Sequence, residues 1–247
     1  MRCAFFFFIS FVCFALSSYA EQAPSINAVV PDGMTAPLLM GTDDAPQGIV
    51  ADYTRALLKI MGIKGHVSVI TRYRILSYVQ EGKVDFICYT SRAWADQKET
   101  FDWSKTLFMK REVILGPAPM PKKLIELDGK TLGTMLGYNY PNLDPLFKSK
   151  RIFREDASSE EATLNKLKNG RIQYAVTDEI FLDYYKSRNP AIEMNRERMF
   201  LQEYPVSCSL SRKGHVKVKD LNHAIDELKS SGQLKKIFES YGVKLNL

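Results

Sequence analysis

A chain of 247 residues, 45% hydrophobic and 25% charged, with a formal net charge of +6, has room for one large domain or two smaller ones. Its basic excess is mild, and no Lys/Arg stripe carries interleaved aromatics, which argues against a nucleic-acid binder. After the first twenty residues no apolar run is long enough to cross a membrane.

The opening "MRCAFFFFISFVCFALSSYA" has one Arg, an apolar run from Ala4 to Leu16, and small residues ending in "SYA". That pattern predicts a secretory signal peptide over 1–20, cut after Ala20. The run is short for ~30 Å of hydrocarbon and no basic cluster follows it, so cleavage is expected rather than anchoring. Cys3 and Cys13 leave with this segment; Cys88 and Cys208 remain. In an oxidising compartment they either pair or stay as two buried thiols. There is no Cys-x-x-Cys, and His66, His215 and His223 are scattered, so neither a metal nor another cofactor is expected.

"INAVVP" (Ile26 to Pro31) reads as a strand stopped by a turn signal. "GIVADYTRALLKIMG" has apolar residues at helical spacing and ends at Gly62. "HVSVI" alternates like a strand, "RILSYVQEG" reads as a helix stopped by Gly82, and "VDFICY" and "REVILGP" read as strands. The second half repeats this logic. "KTLGTML" is a strand, and "GYNYPNLDPLFKSK" is expected to start a helix whose first amide groups form an anion site. "RIFREDA" is a short strand. "SSEEATLNKLKNG" is a helix with Ser158 or Ser159 as N-cap and Gly170 as its stop. "IQYAVTD" is a strand, "EIFLDYYKSRN" a helix, "LQEYPVSCSLSRKG" extended, and "VKDLNHAIDELKSSGQLKKIFESYG" one or two amphipathic helices. Alternating strands and helices predict an α/β fold. Two similar helix–Gly–strand units, "GKVDFICYTS" and "GRIQYAVTDE", fit two lobes. Thr90, Ser91, Thr177 and Asp178 then project from the carboxyl ends of strands, where open α/β sheets bind ligands.

In their order and spacing these stretches resemble the bacterial extracellular solute-binding proteins of family 3, the periplasmic amino-acid-binding type that serves ABC importers. The residues that carry the resemblance are "GIVADYTRALLKIMG", "LSYVQEGKVDFI", "FDWSKTLF", "LDGKTLGTMLGYNY", "LKNGRIQYAVTD" and "LNHAIDELKSSGQLKKIFESYG". It implies a two-lobed, type II periplasmic-binding-protein fold with two crossover strands. Lobe one would hold 21–113 plus 207–247, and lobe two 114–206. It implies a periplasmic, monomeric receptor for a small polar solute, partnered by an inner-membrane ABC permease. An enzyme on the same fold, like a cyclohexadienyl dehydratase, and a sensory module are the alternatives.

The resemblance also assigns candidate site residues. Asp178 would pair with a ligand ammonium, with a helix N-cap as its competing role. The family's carboxylate-clasping Arg is replaced by Gln97, which offers no bidentate fork; Arg74 or Arg92 would have to supply a cation. Tyr138 and Asn139 of "GYNYPN", Trp94 and Thr90 complete the set, while Trp103 is expected in the core. The family's returning strand would bring Cys208 beside Cys88, as a disulfide or as two thiols.

Overall fold

The computed structural model describes residues 26–95, 100–189 and 196–245. The expected signal peptide and Gln97 lie outside the described residues.

The first half contains β1 (Ile26–Pro31), β2 (Met40–Gly41), β3 (Pro46–Gln47), α1 (Ile49–Ile60), β4 (Gly65–Ile70), α2 (Ile75–Glu81), β5 (Phe86–Thr90) and β6 (Asp102–Trp103). β1 lies in parallel between β4 and β5. β7 (Phe108–Gly116) then leads into β8 (Thr131–Met135), α3 (Asp144–Lys148), β9 (Phe153–Ala157), α4 (Glu160–Lys168), β10 (Tyr174–Asp178) and α5 (Glu179–Arg188). β8 is the parallel neighbour of both β9 and β10. The chain returns through β11 (Glu197–Leu210) and ends in α6 (Val218–Ser230) and α7 (Gln233–Ser240). The strand order is β4-β1-β5-β11-β7-β10-β8-β9, with β6 also on β11. This is a two-lobed α/β fold. β11 joins its two halves: Glu197 to Val206 pair with β7, and Ser207 to Leu210 pair with β5 and β6.

Strands covered on both faces read as continuous apolar runs. Ala28 and Val30 of β1 enter a core with α1, α6 and α7, whereas Val29 enters a second core with Val79 of α2. In the other half, Ile114 packs with Leu132 and Val176, while Val113 and Leu115 pack with Leu164, Phe181 and Leu182. The glycine stops act as predicted: Gly82 closes α2 at φ 78° and Gly170 follows α4 at φ 70°, a conformation that carries no steric penalty without a Cβ. Ser159 is the cap of α4, accepting from Ala162 N at 3.0 Å. The C-terminal amphipathic stretch forms two helices.

One expectation is corrected. "GYNYPN" does not open a helix, because Tyr138 N is turned back to Met135 O at 3.2 Å. α3 begins only at Asp144 and is 5 residues long. The helix N-terminal anion site expected there is absent.

Asp85 explains the Gly-x-x-Asp spacing. It is 3% exposed and accepts from Asn27 N at 2.8 Å and His215 N at 2.7 Å, tying β1 to the loop after β11. Asp85→Ala strands both amides and is expected to cost about 2–3 kcal/mol in urea unfolding; a loss below ~0.5 kcal/mol would show the clamp to be dispensable.

Candidate ligand-binding site

The register of three strands builds the site. Period two along β7 puts Lys110 and Glu112 on the face that continues into Ile114. The ladders set Asp178 of β10 and Gln202 of β11 on either side of Glu112, and Tyr204 beside Lys110. Lys110 Nζ lies 2.5 Å from Glu112 Oε1 and 3.8 Å from Asp178 Oδ2. Glu112 Oε2 accepts from Gln202 Nε2 at 2.5 Å. All four residues are buried.

Asp178 takes the capping role, and its other oxygen faces a lysine of the chain itself. Its Oδ1 accepts from Phe181 N at 2.6 Å, capping α5, while Oδ2 faces Lys110. Its backbone N donates to Glu160 Oε1 at 3.4 Å. Glu160, in the first turn of α4, is 8% exposed. Two carboxyls therefore share one ammonium, with the Glu160 carboxyl next to them on the Asp178 amide.

Burial works against the charge of Lys110, but the carboxylates of Asp178 and Glu112 outweigh it and raise its pKa. Burial raises the carboxyl of Asp178 too, opposed by Lys110. Glu160 is raised furthest, by burial and then by the nearby charge of Asp178. Buried acids without a full complement of cations hold their protons more tightly.

Aromatic rings wall the cluster. Tyr89 stands where the β5–β11 register shifts, between Cys88 (opposite Cys208) and Thr90 (opposite Ser207). Its φ of 71° is left-handed, strained for a bulky side chain. A bulge of this kind re-aims a side chain. The Tyr89 ring lies 5.8 Å from Trp94, which in turn lies 5.3 Å from Tyr204. Arg72, at the carboxyl end of β4, sits 5.9 Å over the Tyr138 ring, beyond the carboxyl end of β8. Loops from the strand ends of both halves thus meet over the cluster. The hydroxyls of Tyr53, Tyr89 and Tyr204 are buried with no hydrogen-bond partner among the described residues. Burial pushes Tyr204 up to about 12.

Asp178, Tyr138 and Trp94 are brought to this region. Thr90 adjoins Tyr89, but its Oγ1 donates to Ser207 O at 3.0 Å, within the sheet. Asn139 is exposed. The arginine near Tyr138 is Arg72 rather than Arg74: Arg72 opens a short 3₁₀ turn before α2, lies over the Tyr138 ring and donates to Asp32 O at 2.9 Å. Arg92 stacks 5.2 Å over Trp103, which packs on Phe101 at 5.9 Å, so its cation is engaged there. Cys88 and Cys208 form a disulfide. Among the described residues no group of three or more His, Cys, Asp or Glu could hold a metal.

Lys110, Glu112, Gln202, Glu160 and Tyr89 were not found by sequence reasoning. Only Tyr89 left a signal, as an aromatic at the end of the strand in "GKVDFICYTS".

The fold is a two-lobed α/β one in which β11 joins the two halves. The match to the family model spans residues 28–244, and the chain belongs to the bacterial extracellular solute-binding proteins, family 3. It is 21% identical over 229 residues to the "Probable amino-acid-binding protein YxeM" of Bacillus subtilis, covering 91% of this chain and 87% of that one. Among solved structures, it resembles an ancestral arginine-binding protein bound to arginine (TM-score 0.65, 21% identity, 88% of this chain and 98% of the other). It also resembles the L-cystine solute receptor of Neisseria gonorrhoeae in its unliganded open conformation (TM-score 0.68, 19% identity, 89% and 94%). Among the described residues no helix is long and apolar enough to cross a membrane.

Proposed function

We propose that this protein captures a small polar, amino-acid-like solute in the periplasm and delivers it to an ABC permease. In this reading it is exported by cleavage after Ala20, acts as a monomer and catalyses no reaction. Its lobes comprise 21–113 plus 207–247, and 114–206. The observation that carries the reading is the meeting of strand-end loops from both halves over the Lys110–Glu112–Asp178–Glu160 cluster. A closing cleft places such groups around a solute and excludes water. The names of the relatives point to amino acids, which supports the solute class.

A thermal-shift screen of the purified mature protein against amino acids, polyamines, organic acids and sugars tests it. A ligand at about a thousand times its Kd stabilises by ~4 kcal/mol. A melting temperature unmoved by every class would overturn the reading.

Asp178 is the residue to vary, and the cap decides how. Asp178→Ala would also cost about 1 kcal/mol by removing the bond to Phe181 N, so its effect on the free protein is not neutral, as a bare cleft carboxylate would suggest. Asp178→Asn keeps a capping oxygen and removes the charge. It is expected to weaken solute binding roughly 30-fold or more in calorimetry; unchanged affinity would confine Asp178 to capping.

A further inference from the structure

α5 packs on two cores at once. Phe181, Leu182 and Tyr185 enter the core of their own half with Val113, Leu115 and Leu164. Ile180 and Tyr184 instead join the first-half core that holds Phe108 and Phe238. Phe108, Ile180, Phe238 and Leu245 line one narrow crevice. Asp183 accepts from Lys244 N at 3.2 Å, and Ser187 lies against Gly242. Positions 180, 183, 184 and 187 are spaced i, i+3, i+4 and i+7, a single stripe of a helix. The whole stripe meets the first half, at its core and at the segment 242–245 that follows α7.

The fit is close at Gly242. Its φ of 73° is left-handed, and a Cβ there would lie 2.5 Å from Ser187 Cβ, well inside the ~3.5–4.0 Å of a carbon–carbon contact. The other end of the same helix begins at the buried cluster, where Asp178 caps it through Phe181 N and faces Lys110. From Asp178 to Ser187 the axis runs roughly 13 Å.

We propose that α5 is a latch between the halves. Seated on 242–245, it holds the arrangement in which the strand-end loops meet; released, it lets the halves part. Both contacts are made together here: Arg72 of the first half lies over the Tyr138 ring of the second while the stripe is seated. β7 and β11 run between the halves. Rotation about them must strip one face of α5. The face toward its own half has three buried side chains, Phe181, Leu182 and Tyr185. The stripe has only Ile180 buried, with Tyr184 half-buried, so the stripe is the face that yields. Only the seated arrangement brings both halves to a solute, so unseating α5 lowers apparent affinity in proportion to the seated fraction. That consequence rests on the solute-binding reading; the latch itself does not.

Pulsed electron-spin distance measurements on the solute-free protein test the latch. Spin labels at Tyr73→Cys and Leu136→Cys, exposed positions just beyond β4 and β8, report the separation of the halves, and the paired Cys88 and Cys208 take no label. The expected result for this reference protein is a predominant short separation. Gly242→Ala wedges the stripe off its seat and lowers the short population roughly tenfold, the effect of overpacking a fitted contact, with a longer separation in its place. Adding Ser187→Gly removes the clashing atoms and restores the short separation, although the strained φ at 242 remains. An unchanged distribution in Gly242→Ala would overturn the proposal, and so would a shift to shorter separations. A lengthening that Ser187→Gly fails to reverse would overturn it too, by assigning the effect to backbone strain. The same holds for a reference protein without a short population. If circular dichroism shows Gly242→Ala unfolded, Asp183→Ala, which removes the acceptor of Lys244 N, must lower the short population, and its failure to do so overturns the proposal. Because no solute is added, failure here leaves the solute-binding reading standing, and failure of the solute screen leaves the latch standing.

Discussion

Replacing Cys88 and Cys208 together by alanine lowers the stability of the protein by about 4 kcal/mol, a large part of what a domain of this kind has. The bond closes a loop with a sequence separation of 120, and a cross-link over so long a loop removes much conformational freedom from the unfolded chain. Both cysteines are fully buried in the core that contains α1, α6 and α7, so the replacements add a small packing loss. Urea unfolding gives two readouts. The midpoint falls, and the slope of free energy against urea rises, because the unfolded chain without its cross-link exposes more surface. Oxidised wild-type protein in the same assay is the reference, and reduced wild-type protein should behave like the double variant. A midpoint unchanged by both treatments would mean that the bond leaves the unfolded ensemble as it was.

Lys110→Met has an effect of similar size for an electrostatic reason. It leaves Glu112 and Asp178 buried without their ammonium, and breaking a buried pair from one side costs about 3–5 kcal/mol. The pH dependence identifies the cause. Burial already raises the folded-state pKa of Asp178, and without the opposing Lys110 it rises further above its unfolded value of about 4. The folded state then binds more protons than the unfolded state between those values, so the variant loses stability as pH rises through that window. The deficit against wild type is therefore full at neutral pH and shrinks toward pH ~4. Lys110 itself contributes steadily across this range, since its raised pKa is lost only at alkaline pH. Adding Glu112→Gln to Lys110→Met removes one orphaned charge and recovers part of the loss. A single variant as stable as wild type at pH 7 would show that solvent reaches the cluster.

Much of the fold was legible because it is written locally. Gly82 and Gly170 stop helices, Ser159 caps one, and apolar runs mark strands buried on two faces. Asp178 was legible because a strand-end carboxylate before a helix has few things it can do. The rest of the site was hidden by distance along the chain. Lys110 and Glu112 in "FMKREVILG" read as the solvated side of a strand until the register sets Gln202 and Asp178 beside Glu112. Glu160 reads as a first-turn acid favoured by the helix dipole, and its burial comes from the neighbouring strand. Arg74 was a candidate and Arg72 was not, because the short 3₁₀ turn before α2 could not be seen. Tyr89 owes its direction to a register shift that no local pattern encodes.

β11 has a consequence for how the molecule is made. Phe108 pairs with Val206 and Gly116 with Glu197, so the ladder closes only after everything between has left the ribosome. The first-half core also needs Val206, Cys208 and Leu210 of β11, Leu221 and Leu228 of α6 and Phe238 of α7. A nascent chain that ends before residue 200 thus holds β1, β4 and β5 without their antiparallel neighbour or half of their covering helices. It carries an open sheet edge and a bare apolar face, the features that call for chaperone protection. Closure waits on roughly the last fifth of synthesis, and contacts this far apart in sequence form slowly.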